Sequence, residues 1–466
     1  MINQSRTELV LIRAVILLLS AIGPVCTAYT AVLALRGAIT PQTKIQSCTH
    51  LQRKAIHPPL NSKLKRKEIF NNIKAELQDP RKFLSGWFRG ANVEDIHRED
   101  LLDFLDWTFW EGRCGHDDSQ ELQAIADEVE ELVGCKFKDG RGSAKGLRLT
   151  IDPIEMQPRS LVWYTIIMLL DTITHIRLLF HGMKYMWTPT TAFVVFPPRP
   201  LAFVTASGGS PADAMSYWYR PHAARDQLPI VYLHGIGIGL HQDVAFINDL
   251  TIALDHSSKD KVGILCVEML PISNRLMSPM ATRQRFVKQL TQVLNYHGWQ
   301  RFVLASHSYG SVLTTHVLND PQLAKRVSAC LLIDPVTILL HTPSVAYNFT
   351  ARRPREANEW QLWYFASQDP GVAHTLGRHF FWSENVLWRQ RIQELVNDGM
   401  CMTFSLAGKD LIVDATAVRD CLMQGQVNES RLQVLWWDGL DHAQVFEDAA
   451  SRTRLTETLV HYSRGC

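Results

Sequence analysis

The stretch RFVLASHSYGSVLTTHVL, residues 301–318, decides how this chain folds. Phe302 to Ala305 form an apolar run that reads as a buried strand, and SVLTTHVL reads as a helix. No loop separates the two, so the turn through Ser306-His307-Ser308-Tyr309-Gly310 is tight. Such a turn has room only for small residues two before and two after its centre, a condition Ser306 and Gly310 meet. Its strain lifts the Ser308 hydroxyl above the sheet edge, at the start of the helix.

Outward from this turn, short apolar runs alternate with helical stretches from about residue 190: TAFVVF, MSYWYR, LPIVYLHG, KVGILCVEML, SACLLIDP and CMTFSLAG. Strands that are apolar throughout and separated by helices imply a largely parallel sheet buried on both faces. Upstream of the Ser308 turn, LPIVYL runs into His234-Gly235-Ile236-Gly237. There the backbone N–H of Ile236, with that of Tyr309, can face a developing oxyanion, and the glycines Gly235, Gly237 and Gly239 allow close approach. The same loop fails as a dinucleotide fingerprint because position 240 is Leu, and it lacks the Lys-Ser/Thr of a P-loop. Downstream, CMTFSLAG ends in Lys409-Asp410, and LQVLWWDG runs into Leu440-Asp441-His442. A strand-end carboxylate can hold a histidine in one tautomer, and a histidine on the loop after the last strand can reach Ser308 as base. Asp334, at the end of SACLLID, and Asp414 are rival acids to Asp410; His307 and His316 are rival bases to His442.

His234-Gly235, SHSYG, AGKD and the late Asp-His pair together resemble the α/β-hydrolase superfamily over about residues 190–450, in its serine esterase and lipase branch. The resemblance implies a mostly parallel sheet flanked by helices, with Ser308 as nucleophile, His442 as base, Asp410 as orienting acid, and Ile236 and Tyr309 as oxyanion donors. It implies no cofactor and no metal. Ser306 stands where the family usually has Gly, a mild departure. A Ser nucleophile, where the epoxide hydrolase and dehalogenase branches carry Asp, points to ester chemistry. The expected activity is cleavage of carboxylic esters of apolar or lipid-like molecules. The alternatives are an acyltransferase with the same three residues and a non-catalytic scaffold. The His-x4-Asp motif of some acyltransferase relatives is missed by one place, since Glu447 holds the position and Asp448 follows.

The rest of the chain sets the context. At 466 residues, with 46% hydrophobic and 20% charged, disorder and fibrous repeats are excluded, and a formal charge of +2 gives no pull toward nucleic acid. Between Arg13 and Arg36 lie 22 residues without Asp, Glu, Lys or Arg, enough at about 1.5 Å per residue to cross a hydrocarbon core of roughly 30 Å. Pro24 within that run is tolerable in a membrane helix. The expected partners are therefore a lipid bilayer and a small ester, with residues 1–40 a single-pass anchor. Basic residues from Arg36 to Lys67 place the bulk of the chain on the cytosolic side. Nine scattered cysteines without a CxxC pair read as reduced; sequons at Asn3, Asn348 and Asn428 matter only on a lumenal face. Residues 41–187 read as a basic linker and helical region, with N-caps expected at Asp95 and Ser119 and an apolar helix at 160–187 that packs on the sheet or lies in one leaflet. Residues 188–466 read as the catalytic unit, with an aromatic-rich cap inserted at about 338–397.

Overall fold

The computed structural model describes residues 2, 4–35, 51–425 and 430–465, without the side chains of 22–35, 192 and 193. The sequons at Asn3 and Asn428 and the cysteines Cys26, Cys48 and Cys466 lie outside the described residues or side chains.

A mostly parallel sheet forms the centre. Its strands are β1 (Lys184–Trp187), β2 (Gly208–Gly209), β3 (Tyr217–Arg220), β4 (Ile230–Leu233), β5 (Ile264–Val267), β6 (Phe302–His307), β7 (Val327–Ile333), β8 (Cys401–Ala407) and β9 (Leu432–Trp437). They are ordered β2-β1-β3-β5-β4-β6-β7-β8-β9, parallel from β5 to β9, with β3 antiparallel to both β1 and β5. Every residue of β4, β5, β6 and β8 is buried, as strands covered by helices on both faces require.

Two segments depart from expectation. TAFVVF is not a strand: Pro189 opens a short helix, Pro189–Phe193, whose first turn is closed by a capping box between Thr188 and Thr191. The apolar helix at 160–187 ends earlier, at Phe180; Gly182 takes a positive φ of 75°, and Lys184–Trp187 becomes β1. The sheet thus begins before residue 188.

The N-terminal region supplies the helices Lys63–Glu76, Pro80–Trp87, Arg98–Trp110 and Ser119–Val133. Neither expected cap holds: His97 and Asp118 occupy the N-cap positions, and Asp95 sits in a preceding 3-10 turn. These helices do not stand apart. Phe70, Leu84, Trp87, Phe104 and Trp107 belong to the same buried core as Leu304, Val312, Leu332 and Phe404 of the sheet and its helices.

Arg6–Leu35 is one continuous helix. Its Ile12 and Ile16 pack with Trp163, Tyr164 and Ile167 of the Leu161–Phe180 helix and with Ala357 and Tyr364, while Arg13 lies over the Trp360 ring. Leu161–Phe180 is long and apolar enough to cross a membrane, yet it carries Asp171, which pairs with Arg199 and Arg275 at 3.0 Å each. Arg199 in turn meets Glu268, beside β5, at 2.6 Å. Burial alone would raise the Glu268 carboxyl, but Arg199 overrides it and holds it down at about 2. This ionic knot fastens the apolar helix to the sheet. Of the cysteines in strands, Cys266 and Cys330 are free and buried as expected. Cys401 is disulfide-bonded, which corrects the reduced reading for it.

Candidate active site

The turn between β6 and the Gly310–Leu318 helix takes the strained form its sequence requires. Ser308 has a positive φ of 49°, and its N–H donates to the Ile333 carbonyl at 2.9 Å. Two glycines are sterically obligatory. A Cβ on Gly310 would lie 2.1 Å from the Leu233 carbonyl oxygen, and one on Gly235 would lie 2.9 Å from the Ser308 Cβ. Gly310 therefore brings the turn against the end of β4, and Gly235 brings the next loop against Ser308.

The structure draws Ser308, His442 and Asp410 into one chain of contacts. His442 Nε2 lies 2.8 Å from Ser308 Oγ, and His442 Nδ1 lies 2.7 Å from Asp410 Oδ2. Asp410 Oδ1 accepts the N–H groups of Ile412 and Val413 at 2.7 and 2.9 Å, so the carboxylate is fixed from its own loop. Burial would lower the His442 imidazolium, but the Asp410 carboxylate outweighs it and carries the ring up to about 9.

The rivals take other places. Asp334 lies close to His442 without a hydrogen bond to it; its two oxygens accept the N–H of Ala407 at 3.0 Å and of Ala443 at 2.9 Å. It ties the end of β8 to the loop that bears His442. Burial, with Asp410 close by, lifts its carboxyl to about 7. Asp414 caps the Ala415–Met423 helix through the Ala417 N–H. His307 packs against the His442 and Phe446 rings, with centroids 5.6 and 4.9 Å away, and His316 meets Asn385 Oδ1 at 2.8 Å.

The loop after β4 is held by its own contacts. His234 Nε2 accepts the Met269 N–H at 2.9 Å while Nδ1 lies 2.7 Å from the Gly235 carbonyl, an arrangement that suits the neutral ring, and burial lowers it to about 4. The Gly237 N–H donates to the Ile272 carbonyl at 3.2 Å. The N–H groups of Ile236 and Tyr309 find no acceptor among the described residues, as two oxyanion donors would require. Two residues escaped the sequence. Asp441 Oδ1 accepts the N–H of Leu411 and His442 at 2.9 and 2.7 Å, and Asn358 Nδ2 donates to Asp441 Oδ2 at 2.8 Å, tying the His442 loop to the cap. Asp441 was visible only as the neighbour of a histidine.

Above Ser308 lies a narrow cavity of about 50 Å³. Ile236, Val336, Phe349, Leu376, Phe380 and Ile412 contribute to its walls, and apart from the indoles only Ser308, Tyr309 and Thr350 bring polar side chains to it. Phe349, Leu376 and Phe380 come from the segment between β7 and β8, where the cap was expected.

No protein-family model matches the chain, and no curated protein matches it in sequence. Among solved structures, it is similar to a bacterial membrane phospholipase A at 11% identity, covering 66% of this chain and 94% of that one, with a TM-score of 0.41. Naproxen esterase from Bacillus subtilis is similar at 13% identity, over 63% and 97%, with a TM-score of 0.39. A putative lipase from Acinetobacter baumannii is similar at 10% identity, over 63% and 95%, also with a TM-score of 0.39. These likenesses concern the layout of sheet and helices. The chemistry proposed below rests on the residues of this chain alone.

Proposed function

We propose that this protein is a serine hydrolase of the α/β-hydrolase superfamily that cleaves carboxylic esters of apolar, lipid-like molecules. The observation that carries the proposal is the Ser308–His442–Asp410 chain of contacts, at 2.8 and 2.7 Å, on the floor of an apolar cavity. In this reading neutral His442 accepts the Ser308 proton at Nε2 while its Nδ1–H donates to Asp410. Ser308 Oγ bonds to the ester carbonyl carbon, and the oxyanion takes the N–H groups of Ile236 and Tyr309. The imidazolium returns the proton to the leaving alkoxide. Water, deprotonated by His442, then releases the acid and regenerates Ser308.

The bilayer enters the same proposal. Arg6–Leu35 would serve as the anchor, and the helices beside it present apolar residues outward: Leu161 is 74% exposed, Phe180 86% and Val204 76%. Asp171, fastened inside by two arginines, favours a Leu161–Phe180 helix that lies on one leaflet over one that crosses both. Ile236 faces the cavity and Ile238 packs with the membrane-side cluster, so one loop joins the two surfaces.

A fluorophosphonate probe tests the chemistry. Wild type should be labelled and Ser308→Ala should not; an unlabelled, folded wild type overturns the proposal. The lipid preference fails if short soluble esters far outpace long-chain acyl esters in detergent. Product analysis with an alcohol present separates hydrolysis from acyl transfer.

A further inference from the structure

A second apolar cavity adjoins the one above Ser308, enclosed by the N-terminal helices. Phe70, Leu84, Leu101, Leu105 and Val129 are among its walls, and apart from the indoles only Lys74, Thr108 and His341 bring polar side chains to it. The two cavities share three residues, Trp87, Trp107 and Trp382. Each indole has its N–H engaged. Trp87 Nε1 donates to the His341 carbonyl at 3.1 Å, Trp107 Nε1 to Thr150 Oγ1 at 3.0 Å, and Trp382 Nε1 to the Thr108 carbonyl at 3.2 Å. The partition therefore has no free indole donor with which to hold a polar group.

Protein interiors are close-packed, so abutting cavities that share one aromatic wall are unusual. Apolar space of this kind stays dry and takes apolar guests. Lys74 is already paired with Glu128, so the walls, apolar for most of their extent, suit a methylene chain better than a headgroup. Ser308 borders one cavity, Leu84 and Leu101 border the other, and the three indoles border both.

We propose that the cavity between the N-terminal helices is the distal half of the substrate site, receiving the far end of a long acyl chain whose carbonyl sits at Ser308. Trp87, Trp107 and Trp382 form the partition the chain must pass, and they set the length at which the N-terminal helices begin to be felt. This rests on the ester reading of Ser308, and it gives residues 63–133 a part in substrate selection.

The test uses the full-length wild-type protein in detergent with a hexadecyl fluorophosphonate that carries a diazirine at its far end. Ser308 Oγ forms the bond to phosphorus, fluoride leaves and the hydroxyl proton passes to His442. Light then links the chain end to whatever lies beside it. Crosslinks on peptides from residues 63–133 are expected; crosslinks confined to residues 336–412 or to detergent would overturn the proposal. Absence of any Ser308 adduct instead sinks the ester reading, so the two failures are distinct. As a second measurement, Val129→Trp fills the distal cavity from a half-buried wall. It should lower the ratio of kcat/KM for hexadecanoyl over butanoyl esters by at least about tenfold, since even one methylene in an apolar pocket is worth roughly that much. A ratio equal to wild type in the folded variant counts against the distal site.

Discussion

The two walls of the candidate site are built on different principles. The sheet-side wall, carrying Ser308, His442, Asp410 and the Ile236 loop, is held by short directional contacts and two obligatory glycines. The opposite wall, made by the N-terminal helices and the segment between β7 and β8, is held by apolar and aromatic packing; Trp87 and Trp107 have ring centroids 5.4 Å apart. Directional contacts fix atoms for chemistry, while packing shapes a volume. Damage to the first wall should therefore cost turnover, and damage to the second should change which substrates are turned over.

The largest effect is expected at the reacting atom. Ser308→Ala removes the nucleophile and should reduce kcat by about 10⁶-fold while leaving the melting temperature close to wild type. Activity that survives the substitution would shift the chemistry off the sheet-side wall altogether.

Next is the charge behind the base. Asp410→Asn should lower kcat by about 10⁴-fold, because the amide no longer stabilises the imidazolium or selects the Nδ1–H tautomer. Its pH dependence has a definite sign. The ordinary imidazole value of 6.5 is raised to about 9 in the folded protein, so the neutral base, and with it activity, grows as pH rises toward 9. The same raised value stabilises the fold fully below 6.5, and that contribution is lost as pH climbs to about 9. Wild type should thus gain rate and lose stability over one window. In Asp410→Asn the rate limb should move to lower pH, and a limb that stays near 9 would deny Asp410 its part in holding the proton on His442.

These dependences follow the division between what the sequence carried and what it did not. Ser308, Gly310 and Gly235 were legible because a strand-to-helix turn imposes local steric conditions that only small residues meet. Asp410 and His442 were legible because each follows a strand on a loop. Asp334 could be named but not assigned, since its partners Ala407 and Ala443 are brought to it only by the order β7-β8-β9. The helical wall was legible as helices from their apolar spacing, but not as a wall. Nothing in the spacing of Trp87 or Trp107 says that they meet Trp382, almost three hundred positions away, around a cavity. TAFVVF misled for a related reason: Thr188-Pro189 at its head outweighed the β-branched run.

Asp334 joins β8 to the His442 loop without touching a reacting atom, which makes it a positioning residue. Asp334→Asn keeps the shape but replaces one accepting oxygen with a donor that would face an N–H. A misplacement of the His442 loop on the scale of one ångström should cost up to about 10²-fold in kcat, with KM little changed. Asp334 also helps hold the His442 proton, so the rate limb should move slightly to lower pH, a change that loosened packing alone would not produce. An unshifted limb with a lowered melting temperature would reduce Asp334 to a structural tie.

The smallest effect belongs to the packed wall. Trp382→Phe keeps an aromatic ring but deletes the bond to the Thr108 carbonyl, a loss of about 1 kcal/mol in stability. Because Trp382 borders the cavity above Ser308 and its hydrogen bond goes to Thr108 and not to His442 or Asp410, kcat for a butanoyl ester should fall far less than in Asp334→Asn. The response to chain length should change instead, since a smaller ring widens the partition between the cavities. If the variant instead lost turnover equally for every chain length, the two walls would not be separable: packing at Trp382 would be setting the geometry of Ser308 and His442, and the aromatic wall would belong to the chemistry as much as to the fit.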